Sequence, residues 1–356
     1  MTRWEQMNKA YEHMADEQSR RWFEARLEYA VTRQPESLCK CIQDDAPEFA
    51  GWDLASIQAM MEQERKKKIL IFGAGRDGKH IAYVLEHSSL AGCVQGFLES
   101  NPQRIGMSYA GLPIFSAHDA EQYADDSIIL IGSRAYGLEM YHQLARSNFP
   151  QSSIYLSPFG IFTAGYGHQY FDVFAPKEHE VFVDAGCFDA ATSIEFVAWC
   201  RGNYDRIYAM EASPELAEAC KKTLERHGIQ NYELIPKACW KETADVHFQN
   251  DMLAQRTASA HVSAQGEIVH ATSIDDFLGG DRATFVKMDI EGAEYEALQG
   301  AEKTIRNCHP RLAISVYHKP SDILDIPSYL MTLDETYRFY IRHYSSWRWE
   351  TVLYAE

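Results

Sequence analysis

The chain has 356 residues, 46% hydrophobic and 24% charged, the balance of a soluble globular protein with room for two domains of ordinary size. Its 34 Lys and Arg against 51 Asp and Glu leave a formal net charge of −17, which repels nucleic acid and anionic membranes and excludes both as expected partners. No apolar run approaches the roughly 20 residues that cross a bilayer, and the start lacks the apolar centre of a signal peptide, so the expected location is cytoplasmic.

Residues 1–65 carry helical periodicity. Trp4, Met7, Tyr11 and Met14 recur at spacings of three and four, and Trp22, Leu27, Ala30 and Val31 continue an apolar face. The segment is predicted helical, interrupted at Asp44, Asp45 and Pro47 and resumed from an N-cap at Asp53. Such a stripe packs on its own chain or pairs two copies, so a homo-oligomer through these helices is an open expectation. The eight cysteines lack CxxC spacing and are expected as reduced, small core residues.

Residues 68–78 read KILIFGAGRDG, an apolar run ending in GxGxxG at Gly73, Gly75 and Gly78, followed by an amphipathic stretch through Ile81, Val84 and Leu85. Strand, glycine turn and helix predict a small Rossmann-like α/β domain over 66–158, with further strands at 94–98, 127–132 and 153–156 and a helix near 136–147. Glu99 closes the second strand where a ribose-binding acid sits in a dinucleotide fold. These three glycines and Glu99 form a candidate second nucleotide site, and an NAD(P)-dependent oxidoreductase is the alternative function they support. Glycines also permit a tight turn and close packing with no ligand, and no constellation of acid, base or nucleophile accompanies them.

Residues 159–179 hold Gly160, Gly165, Gly167 and Pro176 among Tyr166, Tyr170, Phe171 and Phe174, the composition of a linker that packs. A second alternation then fills 180–356. Strands are predicted at 181–185, 206–210, 232–236, 284–289, 311–316, 336–343 and 350–354, with helices at 190–201, 214–227, 292–307 and 322–333. Right-handed crossovers make the sheet mostly parallel, and the short connection between the last two strands makes them an antiparallel hairpin.

Ligands of open parallel sheets bind beyond the carboxyl ends of the strands. Those ends are Asp184-Ala-Gly186 with Asp189 and Thr192, then Glu211 with Ser213 and Pro214, then Ala238 with Trp240, then Asp289 with Glu291 and Glu294, then Tyr317 with His318. Ser213 as N-cap with Pro214 at the first helical position fixes Glu211. Asp184 and Asp189 suit a cationic ligand rather than a pyrophosphate, which carboxylates repel. His318 is the first candidate for a general base and Asp289 the second. Asp289, Glu291 and His318 are alternatively a hard-to-borderline ligand set for a divalent cation. Glu294 and Glu296 are expected to complement a helix dipole.

The segments VFVDAGCFDAAT at 181–192, YAMEASP at 208–214, TSIDDF at 272–277 and VKMDIEGAE at 286–294 resemble the FkbM-type methyltransferase family over about residues 170–355. The resemblance implies a class I seven-stranded sheet and S-adenosylmethionine as donor. It places Asp184 and Gly186 at the donor's methionine end and Glu211 on its ribose, with the fourth-strand segment bordering the acceptor. A sugar or glycan-precursor hydroxyl is the acceptor class it implies. Ala190 stands where the family usually keeps a glycine, which a negative φ would accommodate. That departure keeps open a third alternative, a sensor or scaffold that binds the donor without turnover.

Overall fold

Helix α1 (Arg3–Glu12) begins at a capping box between Thr2 and Glu5, and α2 (Glu17–Thr32) begins where Asp16 accepts from Ser19 N–H. The buried side of α2 is Ser19, Trp22, Phe23, Ala25 and Arg26. The apolar face is therefore rotated from the expected one: Val31 is 84% exposed, and Trp4 on α1 is 66% exposed. Trp22 stacks on His343 with ring centroids 4.3 Å apart, and Arg26 donates to Thr351.

The computed structural model describes residues 2–34, 36–45, 54–133, 137–155, 168–249, 261–262, 267–344 and 349–356. The chain divides into two compact units, a larger one of residues 1–33, 167–344 and 349–356 and a smaller one of residues 34–166 and 345–348. The stretch 1–65 is thus distributed over both units, because α1 and α2 bury their faces against the C-terminal strands of the larger one. Pro47, Asp53, Tyr136, residues 156–158 at the end of the expected Rossmann-like domain and residues 159–167 of the expected linker lie outside the described residues.

In the smaller unit α3 (Glu36–Asp45) and α4 (Leu54–Gln63) precede β1 (Lys68–Phe72), α5 (Arg76–Glu86), β2 (Val94–Leu98), β3 (Ser108–Tyr109) and β4 (Leu112–Phe115). Helix α6 (Ala117–Ala120), β5 (Ser127–Ile131), α7 (Gly137–Leu144) and β6 (Ile154–Tyr155) complete it. The sheet order is β3-β4-β2-β1-β5-β6, parallel throughout except for β3. The β3–β4 hairpin was not foreseen. It is two short strands about Gly111, too brief to show alternation.

The larger unit continues with β7 (Glu180–Ala185), α8 (Ala191–Trp199), β8 (Tyr204–Met210), α9 (Pro214–Arg226), β9 (Tyr232–Ile235), β10 (Ala238–Cys239), β11 (Ala244–Gln249), β12 (His261–Val262) and β13 (Glu267–Thr272). Then come α10 (Ile274–Leu278), β14 (Phe285–Met288), α11 (Glu294–Gln299), α12 (Glu302–Cys308), β15 (Arg311–Ser315), α13 (Asp322–Leu333), β16 (Phe339–His343) and β17 (Thr351–Ala355). The main sheet has seven strands in the order β16-β17-β15-β14-β7-β8-β9, and β17 alone runs antiparallel to its neighbours. Every expected strand of this half is present. Strands β7, β14 and β15 are buried on both faces, as their continuous apolar runs require.

Two features depart from expectation. Strands β10, β13, β11 and β12 form a separate four-stranded sheet, and the helix expected over 292–307 is broken at Gly300. A Cβ at Gly300 would lie 2.3 Å from the Trp240 carbonyl oxygen, so the chain passes too closely there for a side chain. The described cysteines are free thiols, five of the seven buried. No described helix is long and apolar enough to cross a membrane.

Candidate active site

The carboxyl ends of β7, β8, β14 and β15 bring most of the expected residues of the larger unit to one edge of its sheet. Asp184, on β7, is fully buried and faces inward: Lys287 Nζ lies 3.0 Å from its Oδ1, and Ser193 Oγ donates to its Oδ2 at 2.7 Å. Lys287 also donates to the carbonyls of Gly186 (2.7 Å) and Ala185 (3.2 Å). Burial lowers the Lys287 pKa, and the carboxylates of Asp184 and Asp289 more than reverse this, leaving it raised. Asp184 therefore shapes the glycine turn through Lys287 instead of presenting an open carboxylate to a ligand.

The turn itself runs through left-handed backbone at Gly186 (φ +78°), Phe188 (+49°) and Ala190 (+66°). A Cβ on Gly186 would approach the Asp289 carbonyl oxygen to 2.1 Å, so only glycine fits. The negative φ expected for Ala190 is not found. Its left-handed backbone carries strain of roughly 1–2 kcal/mol, held by burial of the methyl among Cys187, Ala209, Cys220 and Leu224. Asp189 is exposed and accepts from Ala191 N–H at 3.0 Å, capping the turn into α8, where Thr192 is half-exposed.

Glu211 follows β8 with one oxygen accepting from Ser213 N–H at 2.8 Å, while burial pushes its pKa up. Ser213 caps α9 through Leu216 N–H, and Pro214 occupies the first turn as expected. Ala238 is buried in β10 beside Ala271. A glycine that a Cβ would displace, next to a half-buried carboxylate at the adjoining strand end, suits a ligand with a slender chain and a diol.

Across the turn, Asp289 accepts from Tyr170 OH (2.8 Å) and Tyr317 OH (3.2 Å). His318 has a side chain only 8% exposed and is ringed by acids: Nδ1 lies 2.9 Å from Glu294 Oε1, and Nε2 lies 3.4 Å from Glu291 Oε2 and 3.5 Å from Asp289 Oδ1. Burial opposes the charged imidazole, but the three carboxylates raise its pKa to about 10. Burial raises Asp289 as well, yet His318, Lys287 and the two tyrosines hold it below the usual carboxylate range. Glu291, in left-handed backbone at φ +56°, is pushed up to about 7, chiefly by burial.

The structure brings together Asp289, Glu291 and His318, and it adds Glu294, expected only to complement a helix dipole, together with Lys287, Tyr170 and Tyr317. Glu294 is fully buried and accepts from Ile290 N–H at 2.9 Å, while Glu296 stays at the surface with Lys319. Lys287 was legible in principle, because a lysine inside an apolar, doubly covered strand needs a buried partner. Tyr170 and Tyr317 reach Asp289 only through the fold.

In the smaller unit Gly73 and Gly78 are explained by packing, since a Cβ on Gly78 would lie 1.9 Å from the Gly73 carbonyl oxygen, whereas one on Gly75 would meet nothing. Glu99 is engaged by its own chain. One oxygen accepts from Ser100 and Asn101 N–H, and the other pairs with Arg104, which also donates to the Ala74 carbonyl at 2.6 Å.

Residues 172–339 match the family model described as Methyltransferase FkbM domain. Among solved structures, methyltransferase FkbM from Methylobacillus flagellatus KT is similar with a TM-score of 0.52 at 20% identity, covering 85% of this chain and 93% of that one. An rRNA methylase from Streptococcus thermophilus is matched at a TM-score of 0.34 and 16% identity, over 51% of this chain and 87% of that chain. Aeropyrum pernix fibrillarin, a structure with bound S-adenosyl-L-methionine, is matched at 0.33 and 12%, over 51% and 69%. No curated protein sequence matches the chain. The family match spans the strand ends that carry the acid cluster and the glycine turn, and residues 172–339 are thereby identified as a methyltransferase domain of the FkbM type.

Proposed function

We propose that the larger unit methylates a hydroxyl oxygen, with a sugar or glycan-precursor hydroxyl as the acceptor class. The observation that carries this is the acid cluster of Asp289, Glu291 and His318 at the strand ends beside Gly186. An alcohol is a poor nucleophile until its proton is removed, and a site built for one needs a proton acceptor and hydrogen-bonding groups for neighbouring hydroxyls.

The donor, when bound, supplies a methyl group on a cationic sulfur. Gly186 and the exposed Asp189 would hold its amino-acid end, and Glu211 its ribose. Lys287 and Asp184 fix the glycine turn from beneath, so this cradle is rigid before any ligand arrives.

The proton acceptor in this reading is Glu291. Its side chain is 32% exposed and reaches the rim, whereas His318 is enclosed by carboxylates on both ring edges. The part that His318 plays is to hold the acids in register. Tyr170 and Tyr317 orient the Asp289 carboxylate, which is placed to accept from an acceptor hydroxyl.

The test is methyl transfer from labelled donor to a panel of nucleotide-linked sugars, free glycans and small catechols. Labelled sugar product with Glu291→Gln at least a hundredfold slower supports the reading. Label appearing on a nitrogen or carbon acceptor instead would sink it.

A further inference from the structure

We propose that Asp289, Glu294 and His318 form a site for one divalent cation of hard to borderline character, such as Mn2+ or Mg2+. One ligand atom from each lies within 4.8 Å of the other two. The set differs from the one expected from sequence, with the buried Glu294 in the position given there to Glu291.

Three observations carry it. Asp289, Glu291 and Glu294 all stand within 3.5 Å of the His318 ring nitrogens, so three carboxylates face one imidazole. Lys287, which also faces Asp289, is already committed to Asp184 at 3.0 Å. A site this enclosed tolerates excess negative charge only with a compensating cation.

Second, the polar atoms are unsatisfied. Glu294 is fully buried with Oε2 lacking any hydrogen-bond partner, and neither His318 nitrogen has a well-directed hydrogen bond although its side chain is only 8% exposed. Buried polar atoms left open in this way call for an ion or water.

Third, the donor chemistry is coherent. Two carboxylates and one imidazole suit Mn2+ or Mg2+ with waters completing the shell, and Ile290 N–H holds Glu294 while Tyr170 and Tyr317 hold Asp289, as outer partners hold metal ligands. Resting on the O-methylation reading, the open positions of the ion would take acceptor hydroxyls and make one of them easier to deprotonate.

The experiment titrates Mn2+ into the EDTA-treated, dialysed full chain without donor or acceptor, following free Mn2+ by electron paramagnetic resonance. One ion per chain is expected, with affinity at least tenfold weaker in Glu294→Gln and His318→Gln and unchanged in Glu296→Gln. Asp289→Asn, which keeps one of the two oxygens that accept from the tyrosines, should weaken binding equally. No bound ion at millimolar Mn2+ overturns the site, as does wild-type affinity in Glu294→Gln and Asp289→Asn together. The wild-type titration needs no variant to fold. Because it contains no substrate, failure of methyl transfer leaves the site standing, and transfer in EDTA with no ion bound overturns the site alone.

Discussion

Lys287 Nζ and Asp184 Oδ1 meet 3.0 Å apart with side chains 3% and 0% exposed, one strand over from each other in the middle of the seven-stranded sheet. The pair locks the glycine turn, since the same ammonium group also holds the Ala185 and Gly186 carbonyls. Lys287→Met leaves Asp184 as an uncompensated buried charge and is expected to cost about 3–5 kcal/mol. Adding Asp184→Asn should recover more than half of that loss, because the two changes share one interaction. Urea unfolding followed by far-UV circular dichroism reads both, and strictly additive losses would contradict the pairing.

The glycine turn gives two opposite outcomes from two small changes. Gly186→Ala drives a Cβ to 2.1 Å from the Asp289 carbonyl oxygen at φ +78°, so the backbone must move. Its melting temperature should no longer respond to S-adenosylhomocysteine. Ala190→Gly relieves left-handed strain of roughly 1–2 kcal/mol while losing a buried methyl worth about 0.8 kcal/mol and adding chain entropy to the unfolded state. Its stability should stay within about 1 kcal/mol of wild type, with the ligand response retained. A large loss on Ala190→Gly would mean that the methyl, and not the backbone, shapes the turn.

Much of this site was legible in the sequence, for identifiable reasons. Strand ends are marked by acids and glycines after apolar runs, so Gly186, Glu211 and Asp289 could be located, and Ser213-Pro214 declares its own cap. What could not be located depends on partners distant in sequence. That Asp184 faces Lys287 instead of a ligand is set by the register of β7 on β14, and that Glu294 turns inward depends on the left-handed turn at Glu291 and Gly292. The four-stranded sheet about β13 escaped notice because β10 and β12 are two residues each. The helical face at the N-terminus was misplaced because Arg26 is buried beside Thr351 while Val31 is exposed, a reversal of residue type against environment.

That N-terminal contact has its own pH signature. Asp16 pairs with Arg342 at 2.6 Å, and although burial raises its pKa, the bonds from Arg342 and Ser19 bring it down to about 2 from 3.8. A depressed acid contributes stability that is fully present above pH 3.8 and is lost as pH falls through 2. The Asp16 side chain is 36% exposed, so solvent screening limits the contribution to about 1 kcal/mol. Unfolding of wild type and Asp16→Asn should differ by that amount at neutral pH and converge only as pH falls to about 2. A difference that persists in acid would assign the effect to capping of α2 alone.

The last prediction separates the two units by ligand. In the smaller one both Glu99 oxygens are taken, by Ser100 and Asn101 N–H on one side and Arg104 on the other, so no free carboxylate awaits a ribose diol. In the larger one Glu211 accepts from Ser213 N–H and follows Met210, whose carbonyl accepts from Gly186 N–H in the glycine turn. S-adenosylhomocysteine at about a hundred times its dissociation constant should therefore raise the melting temperature by about 5 °C or more. NADH under the same conditions should leave it unchanged, and Glu211→Ala should abolish the first response without creating the second. A rise with NADH that disappears in Gly75→Val would instead restore an oxidoreductase built on the glycine turn, because Gly75 is the one position there where an added side chain meets only open space in the free protein.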